Sequence, residues 1–536
     1  MTAGALYQIN NLNTNSENNF LDFDPQITFF KVVYRKHTRF SIENIRMDPF
    51  NRQTLDFDNN VTLKCDTPRY GDLLSQVYFT FDLPDIWSGK YDDNAHGLNY
   101  EFQWIKNIGT NIFNHASVRI SDQEIEMLYS DFMIIWRELM LSTDRKNQID
   151  MLTGNIPELY DPAYGPGMNG KYPHITSSAT PTIQSGKWVD QSSQIITKSS
   201  KSEFTLPSIM GRKLRVPLSF WFCNDPGLSL PMIALQYSII SFEFEMKAFK
   251  DLYTIIDVDS SNISSDTSVD TSFGKRIKPT NDTVYDMDNF ADNYVFNINP
   301  RLEGEYIFLS EEERRRFAVN DHDYLITQPR VTDKNGIDIT QTNEETMAKL
   351  VPAFNPVSYV TWVIKRSDLH QVNDWNNFTN WTYEDVPPYS YQNQLLDIKF
   401  NKSKGESVFY NRNITTHKAK YERDSMKKQI LTDIRIEFDG VDRINKNAEY
   451  FSQQQPFQYF KNNPKNGIYV YSFSLNPKEY QPSGSCNFSL INYPRIYFKR
   501  TPLEDFAYYY HKAYIYIVSY NIFSISNGIG NTKFTN

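Results

Sequence analysis

Ser117-Val118-Arg119-Ile120, followed by a polar turn and then Asp131-Phe132, has a counterpart in the second half of the chain. There the run is Asp433-Ile434-Arg435-Ile436, the turn Asp439-Gly440 and then Tyr450-Phe451. Two more blocks repeat in the same order. Pro25-Gln26-Ile27-Thr28-Phe29-Phe30, running on through Tyr34 to Phe40, is answered by Asn293-Tyr294-Val295-Phe296 through Tyr306-Ile307-Phe308 to Phe317. Val216 to Phe222, a Pro/Gly turn and Ser238–Phe244 are answered by Ile468 to Phe473, the turn Gln481-Pro482-Ser483-Gly484 and Asn487–Phe498. Identity between the halves is low, so what repeats is alternation and turn chemistry. An ordered echo of this kind implies one β domain built twice, and it points to a structural protein.

The bulk properties agree. A chain of 536 residues exceeds one hydrophobic core, which stops growing near roughly 250–300 residues. Two domains of similar size fit both that limit and the echo. Aromatic residues make up 15% of the chain, with 37 Phe and 35 Tyr, and Asn, Thr, Ser and Pro are abundant. This balance favours strands and turns. A net charge of -9 argues against a grip on nucleic acid, which needs clustered cations facing phosphates. Three scattered cysteines, Cys65, Cys223 and Cys486, make no disulfide framework and imply reduced thiols in a cytosolic compartment. No apolar leader follows Met1, and no charge-free apolar run reaches the 18 residues of a membrane span. The expectation is a soluble protein made in the cytoplasm.

Along the chain, residues 1–24 are a polar, Asn-rich arm expected to dock on something else. Ile27–Tyr34, Val61–Cys65 and Val77–Leu83 read as strands. Residues 124–141 place Ile125, Leu128, Phe132, Ile135, Trp136 and Leu139 at spacings of three and four, which predicts an amphipathic helix. The expected domains are 25–254 and 291–536, joined by a Ser/Asp/Thr-rich linker at 255–290. Each carries one long polar insertion, at about 142–210 and 367–428.

Catalytic chemistry finds little support. Gly165-Pro166-Gly167-Met168-Asn169-Gly170 matches GxGxxG, but no hydrophobic strand precedes it and no helix follows, so it reads as a loop. None of the eight histidines stands in HxxxH or HExxH spacing. Asp321-His322-Asp323 sends adjacent side chains to alternate faces, which suits a turn or the start of a strand better than a metal site. There is no GxSxG elbow and no Cys beside a His. A pair of carboxylates across a β-sandwich, of the kind glycosidases use, has no local motif to recommend it. The expectation is no enzyme, no cofactor and no metal. The segment Asp374 to Tyr383, with Trp375 and Trp381 among amides, is compatible with a sugar platform, though packing against protein is the plainer reading. Sequons at Asn60, Asn262, Asn281, Asn377, Asn380, Asn401, Asn413 and Asn487 are near chance in so Asn-rich a chain. Glu311 to Arg316 reads as a solvated helical turn with its own ion pairs.

The block Pro25 to Phe40, Gly71-Asp72-Leu73-Leu74 and Pro226 to Tyr237 resembles the major capsid proteins of nucleocytoplasmic large DNA viruses. So do Tyr306-Ile307-Phe308-Leu309, Gly467 to Phe473, Gln481 to Phe488 and Ser526-Asn527-Gly528. The resemblance is collinear over nearly the whole chain. It departs at the two insertions and in a polar N-terminal arm that is longer than the family minimum. It implies an all-β double jelly roll: two tandem eight-stranded antiparallel sandwiches with short helices and long loop insertions. It further implies a homotrimer forming a pseudo-hexagonal capsomer, which packs with neighbouring capsomers into an icosahedral shell. On that reading the insertions crown the outer face and face the host surface, while the arm lies beneath, near minor capsid proteins or an internal membrane. Direct contact with nucleic acid is not expected. The protein would reside in the virion after synthesis in the host cytoplasm or a viral factory. Two rival readings are a minor or penton-like capsid protein of the same lineage, and a jelly-roll glycan-binding or adhesion protein.

Overall fold

The computed structural model describes residues 24–47, 50–86, 100–168, 172–173, 207–257, 276–277, 295–339, 344–351, 354–371, 373–381, 428–501 and 509–534. Sixteen strands carry the architecture. The first eight are β1 (Phe40–Met47), β2 (Val61–Asp66), β3 (Leu73–Leu83), β4 (Phe113–Ile120), β5 (Gln123–Tyr129), β6 (Arg212–Pro217), β7 (Ile240–Met246) and β8 (Arg301–Leu309). They pair as two four-stranded antiparallel sheets, β1-β8-β3-β6 and β2-β7-β4-β5. The second eight are β9 (His322–Val331), β10 (Thr346–Lys349), β11 (Pro356–Arg366), β12 (Leu431–Phe438), β13 (Val441–Asn447), β14 (Ile468–Ser472), β15 (Pro494–Arg500) and β16 (His511–Ser526). These pair as β9-β16-β11-β14 and β10-β15-β12-β13. Adding eight to every strand of the first pair of sheets reproduces the second pair. The chain is therefore one eight-stranded sandwich built twice, with short extra strands added at the sheet margins.

Local chemistry sets these pairings. In β2, Val61, Leu63 and Cys65 are buried while Thr62, Lys64 and Asp66 are exposed, the period-two pattern of a sheet with one wet face. The β4–β5 hairpin turns through Ser121 and Asp122, both at positive φ, and the β12–β13 hairpin turns through Asp439 and Gly440 in the same way. Two successive left-handed residues give the tight turn whose twist matches the strands it joins, so the same device fixes register in both halves. Rings fill the interiors: Phe79 stands 5.0 Å from both Phe113 and Phe244 in the first, and Trp362 packs on Tyr469 and Phe451 in the second.

The structure departs from the sequence reading in five places. Ile27–Tyr34 forms no strand: its bulky side chains are exposed and the chain becomes a strand only at Phe40. Residues 123–129 are strand β5, and only Ser130–Met140 are helix, here α1. The insertion at 142–210 opens with a second helix, α2 (Thr143–Thr153), and a short turn of helix at Pro157–Tyr160; residues 174–206 lie outside the described residues, as do 1–23 of the arm and 382–427 of the second insertion. Lastly, sheet membership does not follow a boundary at 290/291. Strand β8 lies beyond it in sequence yet pairs with β1 and β3, because the last strand of a jelly roll returns beside the first. The second sandwich starts after β8, through helix α3 (Glu311–Val319). Part of the expected linker is also structured, since Tyr253–Asp257 pairs with both Tyr100–Trp104 and Arg276–Ile277.

Candidate functional site: the joint between the two sandwiches

The chemistry of this chain concentrates where the two sandwiches meet. Adjacent residues of β16 serve different interiors. Ile515 and Ile517 belong to the second core, while Tyr516 and Val518 join the first. Strand β11 divides in the same way, with Val360, Trp362 and Ile364 on one side and Tyr359 and Val363 on the other. Successive side chains of a strand point to opposite faces, so the outer face of sheet β9-β16-β11-β14 is buried under the first sandwich.

Three elements of the first sandwich cover it. Strand β5 lies along β9, and the Gln328 side chain donates to the Ile125 carbonyl. Helix α1 brings Phe132 within 5.6 Å of the Tyr516 ring and pairs Asp131 with Lys365 at 2.6 Å. The connection from β6 to β7 buries Trp221 against Tyr324 and Phe523. From the other side, residues 373–380 reach back onto the first sandwich. The Asn373 amide donates to the carbonyls of Lys250 and Tyr253, and the Trp375 indole donates to Asp251 O at 2.9 Å. Asn462 caps the end of α1 by donating to the carbonyls of Leu139 and Leu141.

Glu126 and Lys247 are held in this joint away from their ordinary values. Glu126, on β5, is 4% exposed and accepts the Trp221 backbone N–H at 2.9 Å. Burial disfavours its charged form and pushes its pKa up to about 8, against the weaker opposing effect of that hydrogen bond. It lines a cavity of about 400 Å3 between the sandwiches, whose wall also holds Trp136, Arg145, Tyr359 and Lys478. Lys247 donates to the carbonyls of Asn111 and Phe113 and lies under the Trp375 ring. Burial lowers its pKa to about 7, with the Asp131 carboxylate pulling the other way. Deeper in the second sandwich, His511 is held well below its ordinary pKa by burial and by the cations of Arg500 and Arg366. The Cys223 thiol lines the same cavity as Glu126, and burial pushes its pKa up and keeps it protonated, so the arrangement is that of a packed joint.

The residues singled out in the sequence fall accordingly. Trp221 packs on Tyr324 and Phe523, Trp375 lies over Lys247, and Trp381 carries the Lys428 ammonium on its ring, so all three make contacts within the chain. Asn377 and Asn380 are buried, which closes both sequons to a glycan in the folded protein and leaves no open sugar platform at 374–381. Asn60 donates to Glu245, Asn487 is exposed, and the other four sequons lie outside the described residues. His322 and Asp323 open β9 and diverge: His322 stacks on Phe317 and Asp323 faces Lys533. Among the described residues no group of three His, Cys, Asp or Glu could hold a metal ion. Gly165–Met168 form a turn, and Asn169 and Gly170 lie outside the described residues. Glu311 and Glu312 pair with Arg315 and Arg316 on the exposed face of α3, while Arg314 reaches Asp72 of the first sandwich at 3.0 Å. The joint itself was missed in the sequence.

Two tandem jelly rolls packed flank to face, with their buried ionisable groups serving the joint, define a double jelly-roll structural protein. Comparison with known proteins fixes the kind. Residues 28–296 match the family described as the major capsid protein N-terminus, and residues 313–531 match the large eukaryotic DNA virus major capsid protein. The chain is 26% identical to the major capsid protein of Phaeocystis pouchetii virus, over 100% of both chains. It is 25% identical to that of Chrysochromulina ericina virus, over 96% of this chain and 97% of the other. A quasi-atomic model of the PBCV-1 virus capsid superposes with a TM-score of 0.60 at 21% identity, covering 95% of this chain and 100% of that one. The chain belongs to the major capsid protein family of large eukaryotic DNA viruses. It is a structural subunit of the virion shell and not an enzyme.

Proposed function

We propose that the chain acts as a homotrimer, a capsomer of six jelly rolls in a ring that packs with its neighbours into an icosahedral shell. The observation that carries this is the repeated strand order combined with unequal covering. The outer face of β9-β16-β11-β14 is sealed by the first sandwich, whereas its counterpart on β1 leaves Phe40 and Ile42 more than half exposed. A single chain thus satisfies one of its two equivalent faces, and copies joined head to tail satisfy all of them once the ring closes. Three chains of two rolls give an outline that is hexagonal and a symmetry that is threefold. The segments 142–210 and 367–428 then supply the crown and any contact with the host surface. The N-terminal arm, residues 1–24, supplies contacts beneath the shell with minor capsid proteins or an internal membrane. Light scattering on the purified chain tests the assembly: a particle of three times 62.8 kDa is expected, and a stable monomer at micromolar concentration overturns it.

A further inference from the structure

We infer that the cavity between the two sandwiches is a binding site for a small organic ammonium ion, with the Glu126 carboxylate as its counter-charge and aromatic rings as its walls. The cavity measures about 400 Å3, within the roughly 300–1,000 Å3 of small-molecule sites. Both sandwiches build it. Glu126 comes from β5, Trp136 from α1 and Trp221 from the β6–β7 connection, while Tyr359 comes from β11, Tyr480 from the β14–β15 connection and Tyr520 from β16. The site therefore exists only where the joint has formed, and neither half carries it alone.

Glu126 is the wall residue whose bonding is incomplete. Its Oε2 accepts the Trp221 N–H, and among the described residues no group hydrogen-bonds to its Oε1. Taking a carboxyl out of water costs free energy that one hydrogen bond recovers only in part. With no opposite charge beside it the acid stays neutral at pH 7, since burial raises its pKa to about 8. A cation seated within reach of Oε1 reverses that balance, because a nearby opposite charge favours the carboxylate. The proton then leaves to solvent, and a carboxylate–ammonium pair remains in the cavity.

The rest of the wall sets the sign and kind of ligand. Its other charged side chains, Arg145, Lys478, Asp225 and Glu479, are all exposed and stand at the mouth. Two cations face two anions there and cancel. Ionised Glu126 is then the one uncompensated charge, and it is negative. No second anion forms beside it near neutral pH, because burial raises the pKa of the Cys223 thiol and of the Tyr359 and Tyr480 phenols. Aromatic rings attract an ammonium through their electron-rich faces, Trp most strongly, and more so where water is excluded. Trp136 and Trp221 supply such rings in the wall. A metal ion fits less well, since among the described residues no three His, Cys, Asp or Glu group together to hold one.

Three probes of similar shape separate the chemistries: phenethylammonium, neutral 2-phenylethanol and anionic 3-phenylpropionate, each titrated calorimetrically into the full chain. The ammonium is expected to bind at least tenfold more tightly than the alcohol, and the carboxylate more weakly than either. At pH 7 binding of the ammonium is expected to release close to one proton, read from the heats in buffers of different ionisation enthalpy. That release should fade at pH 9, where Glu126 is already ionised. Glu126→Gln keeps an acceptor for the Trp221 N–H and is expected to lose both the preference and the proton release. The alcohol or the carboxylate binding as tightly as the ammonium overturns the proposal, as does an affinity unchanged in Glu126→Gln or no binding of the ammonium at millimolar concentration. Should Glu126→Gln misfold, the three probes and the proton count on the unmodified chain decide by themselves. The cavity lies within one chain, so the result does not depend on how many copies assemble.

Discussion

Glu126 and Lys247 are buried ionisable groups at the same joint whose protons move in opposite senses. The Glu126 pKa rises from the ordinary 4.5 to about 8 on folding. The folded chain therefore binds more protons than the unfolded one between those values. The associated stability is present below about 4.5 and is lost as pH rises to about 8. Lys247 falls from 10.5 to about 7, so the unfolded chain holds more protons between those values and stability rises with pH across them. Each contribution is on the order of a few kcal/mol at most. Thermal unfolding of Glu126→Gln followed from pH 5 to 8 is expected to lose much of the decline seen in the unmodified chain. Lys247→Met is expected to flatten the limb between pH 7 and 10. A decline that persists in Glu126→Gln would assign it to other groups.

At the scale of elements, Gly467 shows how tightly the 373–381 segment and the start of β14 fit. Its φ is +87°, and a Cβ there would run into the Phe378 carbonyl and Cβ. Gly467→Ala combines left-handed strain with a backbone collision and is expected to cost at least about 3 kcal/mol, read as a lowered denaturant midpoint. Elements are also where the sequence was least transparent. Val61–Cys65 and Val77–Leu83 were legible as strands because each has a simple burial pattern. Strand β5 was not, because the core covers one of its faces and the second sandwich the other, so Ile125, Glu126 and Leu128 are all buried and alternation disappears. Its apolar spacing then runs smoothly into that of α1 and mimics one long helix. Ile27–Tyr34 erred the other way, alternating like a strand with no ladder to join inside the chain. Strand β8 lies past a polar stretch that reads as a linker, and its pairing with β1 spans more than 250 residues, which no local pattern records. Asn373 and Trp375 were visible as residues, but their partners at Lys250, Asp251 and Tyr253 lie 120 to 124 residues away, beyond any local pattern.

At the scale of the molecule, the duplicated architecture was visible early, since two of the three echoed blocks fall on equivalent strands. The block at Ser117 maps β4 onto β12, and the block at Val216 maps β6 onto β14. The third block fails, because Asn293–Phe317 contains the closing strand of the first sandwich and not the opening strand of the second. The two sandwiches are not independent. Residues 321–534 expressed alone would expose Tyr359, Val363, Tyr516 and Val518, all now buried by the first sandwich. That half is expected to aggregate or bind a hydrophobic dye strongly, whereas the whole chain stays soluble. The central claim is that the joint inside the chain is one of two equivalent joints in a closed ring. The most direct test is a cryo-EM reconstruction of the purified assembly, computed without imposed symmetry. The account predicts six jelly-roll columns around one axis, alternating in detail and related in pairs by a threefold; a particle with any other number of columns, or with the first-sandwich face at β1 open to solvent, would contradict it.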